Sequence, residues 1–202
     1  MLNTNGEAEV MEVMEVTMKV YAIFANDNTK GTTHKIFVHG VETLKNIGHE
    51  IDILDLYDRE HDIPFYRHDR GYMESHPFYI ENKERFLQAD TLLIVFPLYW
   101  YSVPGILKTW IDLINGWAYT YQSGLHAKPL HNIKNAIIVY SAMQDKQHLE
   151  KMLHSPVENQ LSETCTFIGI PEVKFHLVDN VTKLTPEELE KHLLEITKIC
   201  KS

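Results

Sequence analysis

Apolar residues in this chain occur as short runs, separated by longer stretches in which they recur every three or four positions. The short runs are rich in Val, Ile, Leu and aromatic residues, which favour the buried surface of a β-sheet. Polar residues, often with glycine or proline, separate each run from the helical stretch that follows it. Five strands are predicted in this way, at residues 18–24, 51–56, 91–96, 136–140 and 173–178.

The helical stretches carry their own start and stop signals. Thr32 or Thr33 is positioned to cap the first helix, and Gly48 to end it as its C′ residue. Pro104 is predicted at the first position of the helix after the third strand, because proline fits there without losing a hydrogen bond. Further helices are predicted around residues 80–88, over 147–163 with a kink or break at Pro156, and from the capping box Thr185-Pro186-Glu187-Glu188 onward.

Strands that alternate with helices predict a parallel sheet covered on both faces. Because parallel strands need a crossover connection, this order indicates an α/β doubly wound fold, and the uniformly apolar third strand is typical of its centre. One domain is predicted over residues 17–202. Residues 1–16 repeat Glu, Val and Met in a pattern that suits neither helix nor strand, so they are predicted to form a mobile or loosely docked extension.

Composition narrows the class of protein. The 202 residues include 28 Asp and Glu against 19 Lys and Arg, a formal net charge of −9, and 44% are apolar. The apolar share is that of a globular protein, and the acidic balance argues against a nucleic-acid partner, which needs clustered Lys and Arg. The longest apolar run, residues 92–101, contains Pro97 and is too short to cross a membrane, so no membrane insertion is expected.

The numbers and spacing of cysteine and histidine indicate the cellular compartment and whether a metal site is expected. Two cysteines do not make a disulfide framework for a chain of this length, and the acidic first residues lack the Lys and Arg of a leader segment. A cytoplasmic protein is therefore expected. None of the twelve histidines forms a close ligand pair such as H-E-x-x-H, so no metal is expected either.

The chemistry is expected in loops at the carboxyl ends of the strands, where open parallel sheets bind their ligands. The three loops concerned are 25–31, 97–103 and 141–146. The first lacks the G-x-G-x-x-G and P-loop patterns, yet Asn26, Thr32, Thr33 and His34 lie at a helix start that suits a phosphate. Capping of the helix by the same residues is the competing interpretation.

The second loop is the most informative part of the sequence. It places Tyr99, Trp100 and Tyr101 between Pro97 and Pro104, at the end of a buried strand. A rigid aromatic surface with backbone N–H groups facing a cleft suits a planar heteroaromatic ligand. A packed aromatic loop or an oligomer interface is the alternative, since tyrosine and tryptophan are favoured there as well.

The segment from Pro97 to Pro104, Pro-Leu-Tyr-Trp-Tyr-Ser-Val-Pro, resembles the signature of the NAD(P)H:quinone reductases. The resemblance covers about residues 19–198 and includes 55–57, 89–90 and 116–121. Because these enzymes are flavodoxin-like, it implies a flavodoxin-like five-stranded parallel sheet in the order 2-1-3-4-5.

The resemblance also implies a flavin, FMN or FAD, with NAD(P)H as electron donor and a quinone-like acceptor in ping-pong turnover. The absence of the long tail of mammalian relatives favours FMN. Relatives are typically homodimers, in which tyrosines matching Tyr119 and Tyr121 cover the partner's flavin and flank the substrate. The residues implied for the flavin are Asn26, Thr32, Thr33, His34, Pro97, Leu98, Tyr99, Trp100, Tyr101, Ser141, Ala142 and Met143.

The third loop departs from the family, which has a glycine pair where residues 141–148 have none. Without glycine, close approach of the backbone to a ring is less favourable. Ser141, Gln144 and Lys146 are candidate donors to the flavin edge. His148 is considered for proton handling, against the commoner role of a solvated histidine, and no catalytic residue is assigned. The departure keeps open a flavin-binding regulatory or interaction protein with little turnover, and one-electron transfer as in flavodoxins is a third possibility.

Overall fold

The computed structural model of the chain describes residues 17–121 and 127–202. The predicted extension, residues 1–16, lies outside the described residues. The sheet strands are β1 (Lys19–Phe24), β2 (Glu50–Asp55), β3 (Thr91–Pro97), β4 (Asn135–Ser141) and β5 (Glu172–Val178). All neighbours pair in parallel in the order β2-β1-β3-β4-β5, which confirms the predicted flavodoxin-like sheet.

Helices connect the strands at or near the predicted positions. They are α1 (Thr32–Asn46), α2 (Arg70–Glu74), α3 (Pro77–Gln88), α4 (Gly105–Leu113), α5 (Pro156–Ile168) and α6 (Pro186–Lys201). Two features were not predicted: the short α2, and a hairpin in which Tyr119–Tyr121 pairs antiparallel with Ala127–Pro129. Both are too short to show a period in the hydrophobic pattern.

The sheet is buried on both faces, as a doubly wound fold requires. On one face, Tyr21 and Ile94 pack against α3 and against Trp110 of α4, which is fully buried. On the other face, Val20 and Leu93 pack against α1 and α6. Each large buried side chain of this kind contributes about 1.5–3 kcal/mol relative to an exposed one. The rigid double-sided core therefore fixes the strand ends from which the loops emerge.

Helix ends confirm two sequence signals. Gly48 follows α1 with φ of 92°, the left-handed conformation that glycine adopts without strain. At α6, the Glu188 N–H donates to Thr185 Oγ1 at 3.2 Å and the Thr185 N–H donates to Glu188 Oε2 at 2.9 Å. This reciprocal pair is the predicted capping box, with Pro186 in the first turn.

Two helix boundaries differ from the predictions. Pro104 is the N-cap of α4 and not its first residue, because its ψ of 145° is still extended. The helix predicted over 147–163 is broken before Pro156, as its kink or break was predicted, but its first part is only a π-helical turn, His148–Met152, and α5 extends from Pro156 to Ile168. His154 and Ser155 between the two have positive φ, and Pro156 lies in the first turn of α5.

Gly169 ends α5 and is expected to be sensitive to substitution. Its φ is 90°, and a Cβ at this position would collide with the Pro129 ring of the hairpin. Gly169→Ala is therefore expected to lower the free energy of unfolding by about 2–4 kcal/mol, from backbone strain and overpacking together. Gly105→Ala is the matched control, because a Cβ there meets no atom within 4 Å and φ is not positive. Urea denaturation of both variants measures the difference, and equal stability would contradict the account.

Candidate functional site

Ser141 at the end of β4 connects the loops that the sequence predicts to meet. Its hydroxyl forms a buried hydrogen bond of 2.7 Å with Thr33 Oγ1 at the start of α1. Its carbonyl accepts from the Leu98 N–H, also at 2.7 Å, just after β3. Ser141 is 2% exposed, so water does not compete for either bond. The start of α1, the aromatic loop and the end of β4 therefore form one rigid edge.

The first turn of α1 is not capped as predicted. Its N-cap is Gly31, and no side chain accepts a cap hydrogen bond, because Thr32 and Thr33 are already helical and Thr33 bonds to Ser141. Within the described ranges, the N–H groups of Thr32, Thr33 and His34 have no acceptor, and the first turn contains no acidic residue. Free N–H groups and the helix dipole together favour an anion such as a phosphate.

The preceding loop is held by its own asparagines. Asn26 is buried and its side chain accepts from the Asn28 N–H at 3.4 Å, while the Asn28 side chain accepts from the Lys30 N–H at 3.0 Å. The ring of His34 packs edge-on against Phe24 with centroids 5.4 Å apart. Asn26 therefore stabilises the turn and His34 packs beside the strand, so the groups of this region that remain free for a ligand include the backbone N–H groups of the first turn.

The aromatic loop is a tight two-residue turn. Tyr99 and Ser102 exchange backbone hydrogen bonds of 3.0 Å in both directions, with Trp100 and Tyr101 between them. These two residues have φ of 49° and 63°, the pattern of a type I′ turn, which normally selects asparagine and glycine. Left-handed conformations cost about 1–2 kcal/mol for residues with a Cβ. Strain of this kind is found at functional sites, where it holds side chains in a required position.

The turn directs its rings away from the protein. The Trp100 side chain is 94% exposed, and Tyr99 and Tyr101 are partly exposed. They line an open cleft of about 420 Å³, a volume within the usual range for small-molecule sites. The lining residues are Leu98, Tyr99, Trp100, Tyr101, Met143 and Gln144.

Only part of the backbone of this loop is available to a ligand, which corrects the expectation that its N–H groups face the cleft. The N–H groups of Leu98 and Tyr99 donate to protein carbonyls, and Pro97 has none. In the part of the chain that the structure describes, the N–H groups of Trp100 and Tyr101 have no acceptor. These two groups are thus main-chain donors of the exposed turn that remain for a ring edge.

Asp27 and Tyr57, which the sequence analysis did not assign to the site, lie within electrostatic reach of Tyr99. Burial raises the pKa of Tyr99, and Asp27 raises it further. Burial also raises the pKa of Tyr57, followed by contributions from Tyr99 and Asp27. The loops after β1, β2 and β3 therefore converge here, with both phenols neutral at pH 7. The match of residues 55–57 to the family pattern was the signal that pointed to this position.

The loop after β4 adopts an ordinary backbone without glycine. Its Ala142 N–H donates to Val178 at 2.9 Å, and its Lys146 N–H donates to Asp179 at 2.8 Å. No residue from 141 to 148 has positive φ. The absence of glycine therefore does not strain the loop, and Met143 extends from it into the cleft with 67% exposure.

Of the polar side chains that the sequence suggested in this loop, only some lie at the cleft. Gln144 lines the cleft, whereas the Lys146 ammonium pairs with Glu150 at 3.4 Å and is not among the lining residues. The ring of His148 lies 6.5 Å from that of Tyr101, beside the aromatic turn. His148 therefore lies beside the cleft but is not one of its lining residues.

Tyr119 and Tyr121 form a separate aromatic group. Their hydroxyls are 3.3 Å apart, and Tyr119 donates to Asn115 Oδ1 at 3.2 Å. The Phe167 ring packs edge-on against Tyr119 at 5.0 Å. Burial, and then the hydrogen bond with Tyr121, raise the pKa of Tyr119 to about 12, so it remains protonated at pH 7. Neither tyrosine lines the cleft of its own chain.

Comparison with known proteins identifies the family. A sequence profile described as the flavodoxin-like fold matches residues 18–199. The chain belongs to this flavodoxin-like family. An uncharacterised NAD(P)H oxidoreductase of Escherichia coli, YcaK, is 30% identical over 85% of this chain and 88% of its own. NAD(P)H dehydrogenase [quinone] 1 of Cavia porcellus is 24% identical over 86% of this chain and 73% of its own.

Solved structures agree with the flavodoxin-like assignment. The FMN-dependent NADH-azoreductase of Bacillus anthracis, in complex with FMN, superimposes with a TM-score of 0.74 at 19% identity, covering 91% of this chain and 98% of the azoreductase. At that identity the likeness concerns the fold. Together with the two relatives, it confirms the resemblance to the quinone reductases that the aromatic loop indicated.

The described residues contain neither a membrane-spanning helix nor a metal-binding cluster. Over residues 17–121 and 127–202, no helix combines the length and apolar character needed to cross a membrane. In the same ranges, no three or more His, Cys, Asp and Glu side chains are grouped to hold a metal ion.

Proposed function

We propose that this flavodoxin-like protein is an NAD(P)H-dependent oxidoreductase that carries FMN and reduces quinone-like acceptors. One observation supports it most. Ser141 bonds both to the uncapped start of α1 and to the loop that forms the exposed aromatic cleft, so the two features lie side by side. A flavin mononucleotide combines a terminal phosphate with a planar ring, so it matches both features at once. The names of the relatives, an NAD(P)H oxidoreductase and a quinone dehydrogenase, agree with this class of reaction.

The residues present fit an FMN group. The free N–H groups of Thr32, Thr33 and His34 suit its phosphate, and the N–H groups of Trp100 and Tyr101 suit its ring edge. Of the polar candidates from the β4 loop, Gln144 is the one that lines the cleft. When bound, a flavin accepts hydride from NAD(P)H and passes two electrons to an acceptor. The protein holds the ring, keeps one face open and supplies neutral hydrogen-bond donors.

We further propose a homodimer, because Tyr121 is exposed, Tyr119 is half-buried, and both are separate from the cleft of their own chain. In a dimer of this kind the tyrosine pair covers the partner's cleft and flanks the nicotinamide or the acceptor. Since one open face then receives both substrates in turn, ping-pong kinetics are expected. A cytoplasmic location is proposed as well, in keeping with two cysteines that are buried and free.

The regulatory alternative remains a distinct outcome. It depends on the glycine-free loop after β4, yet that loop has no left-handed residue and its Met143 reaches the cleft. The structure therefore provides no strain that would prevent turnover. A protein that binds flavin without oxidising NAD(P)H would favour the alternative.

The proposal is tested by reconstitution. Purified protein incubated with FMN is expected to become yellow, to retain the FMN through gel filtration as a dimer, and to oxidise NADPH or NADH when menadione is added. Product inhibition and parallel double-reciprocal plots then test the ping-pong order. Protein that takes up neither FMN nor FAD would overturn the proposal, and FAD uptake alone would correct the cofactor.

The strained turn offers a second test, in which stability and binding change in opposite directions. The double variant Trp100→Asn/Tyr101→Gly is expected to stabilise the apoprotein by about 0.5–1 kcal/mol, because asparagine and glycine adopt the type I′ turn readily. It is expected to weaken FMN binding at least tenfold, because both rings are lost. Urea denaturation and FMN fluorescence titration measure the two effects. Trp100→Phe, which keeps a ring, is the control, and unchanged FMN affinity in the double variant would place the ring elsewhere.

A further inference from the structure

The segment between β2 and α3 carries unpaired positive charge in an otherwise acidic protein. The chain has four arginines. Arg59 and Arg85 are each held by carboxylates at 2.6–3.3 Å. Arg67 and Arg70 are exposed, and no carboxylate of the described residues lies within 4.0 Å of either guanidinium. Two arginines are thus used within the fold and two are available to a ligand.

The guanidinium of Arg67 is held in place by an aromatic ring. Its Cζ lies 4.5 Å from the ring centroid of Tyr72, a cation–π contact on the surface. Such a contact restricts the side chain while leaving its N–H groups free. Arginine presents a planar fork that matches the oxygens of phosphate, and pre-orientation lowers the entropy lost when they bind.

This segment lies next to the hairpin that carries Tyr119. Ile63 and Tyr66 pack on the core beneath it. The Tyr79 ring of α3 packs against Trp117 with centroids 4.9 Å apart, only two residues before Tyr119. The Tyr79 hydroxyl also fills the space beside Gly116. Helix α3, which follows this segment, therefore packs through buried rings against the base of the tyrosine hairpin.

The pKa shifts of two tyrosines agree with the position of this segment beside the hairpin. Burial raises the pKa of Tyr79, Tyr66 and Glu74 add to the rise, and the positive charge of Arg70 opposes it. Burial and Tyr121 raise the pKa of Tyr119, and Tyr66 adds to the rise. Arg70 is thus within electrostatic reach of Tyr79, and Tyr66 within reach of Tyr119.

We propose that Arg67 and Arg70 bind the phosphate groups of the NAD(P)H donor while Tyr119 and Tyr121 flank its nicotinamide. The inference rests on the proposed function and names the residues that recognise the charged part of the donor. A protein with a net charge of −9 repels a polyanionic donor, so local unpaired cations are needed to retain it. A quinone-like acceptor carries no phosphate, so the two arginines act on the donor alone.

The test compares donors with and without phosphates on the FMN-loaded protein. Arg67→Gln and Arg70→Gln are each expected to raise KM for NADPH about tenfold, and the double variant about 100-fold, with kcat unchanged. Kd for NADP⁺, measured by isothermal titration calorimetry, is expected to rise by the same factors. With 1-benzyl-1,4-dihydronicotinamide, a hydride donor without phosphate, kcat/KM is expected to remain as in the wild type.

Arg59→Gln is the matched control, since it removes the same charge from the same segment where carboxylates already hold it. It is expected to leave KM for NADPH within about twofold. Normal turnover with unchanged KM and Kd in the double variant would overturn this inference and leave the proposed function intact. An equal loss with both donors would also overturn it, because the arginines would then act away from the phosphates. Failure of the wild type to bind flavin would overturn both proposals, at an earlier step that the absorbance spectrum identifies.

Discussion

Thr32→Glu is expected to stabilise the apoprotein by about 0.5 kcal/mol and to weaken FMN binding about 100-fold. Thr32 is the first residue of α1, where a carboxylate interacts favourably with the helix dipole. The same carboxylate repels a phosphate that uses the free N–H groups of this turn. Two like charges about 4 Å apart near a protein surface repel each other by several kcal/mol, a repulsion that a neutral side chain does not have. Thermal denaturation of the apoprotein and FMN fluorescence titration measure the two effects.

Thr32→Gln separates charge from size in this experiment. The neutral variant is expected to bind FMN within about fivefold of the wild type, because it changes the length of the side chain without the repulsion. Riboflavin, which lacks the phosphate, is expected to bind the Glu variant and the Gln variant equally. Equal FMN affinity for both variants would show that the phosphate does not bind at the start of α1.

Asn82→Leu is expected to lower the free energy of unfolding by about 3–5 kcal/mol, the largest stability effect predicted for a single substitution in this chain. Asn82 of α3 is fully buried, and its Oδ1 accepts hydrogen bonds from the Tyr21 hydroxyl and, at 3.4 Å, from Trp110 Nε1. Its amide group donates to the Phe78 carbonyl at 2.9 Å. Leucine leaves two buried donors unsatisfied, each at a cost of about 1–3 kcal/mol.

Two further variants test this explanation by urea denaturation. Adding Tyr21→Phe to Asn82→Leu removes one unsatisfied donor and is expected to recover about 1 kcal/mol or more. Asn46→Leu makes the same chemical change at the exposed end of α1, and its stability is expected to change by less than about 0.5 kcal/mol. A loss below about 1 kcal/mol for Asn82→Leu would mean that the core tolerates the unsatisfied groups. FMN affinity is expected to remain unchanged throughout, since Asn82 lies in the core and not at the cleft.

The three central strands, β1, β3 and β4, were predicted closely because each is a nearly continuous apolar run buried between two layers of helices. The edge strands β2 and β5 are less buried and include charged residues. β3 is buried at six of its seven positions, so no alternation was needed to recognise it. The order of the strands followed from the resemblance to a known family, since a periodic pattern alone does not state which strands are neighbours. The hairpin at Tyr119 was missed because its three-residue strands are stabilised by packing against α5, through Phe167, more than by their own sequence.

The helix starts show where local signals mislead. Threonine before a helix normally caps it, but Thr33 is used for a buried bond to Ser141, 108 positions further along the chain. A cap prediction considers only neighbouring residues and does not include such a partner. The start of α1 is therefore uncapped, and its N–H groups are more available to an anion than they would be with the predicted threonine cap.

The sequence by itself determined the fold class, the site edge and the aromatic residues of the cleft, because these depend on hydrophobic pattern and on a distinctive local motif. Tertiary structure alone decided which polar groups are free. The Leu98 N–H donates to the Ser141 carbonyl, which lies far along the chain. The left-handed turn at Trp100 and Tyr101 and the unpaired state of Arg67 involve nearer residues, yet no local pattern predicted them. Hydrogen bonds and ion pairs form between groups that folding brings together, so their availability to a ligand becomes known only when all partners are in place.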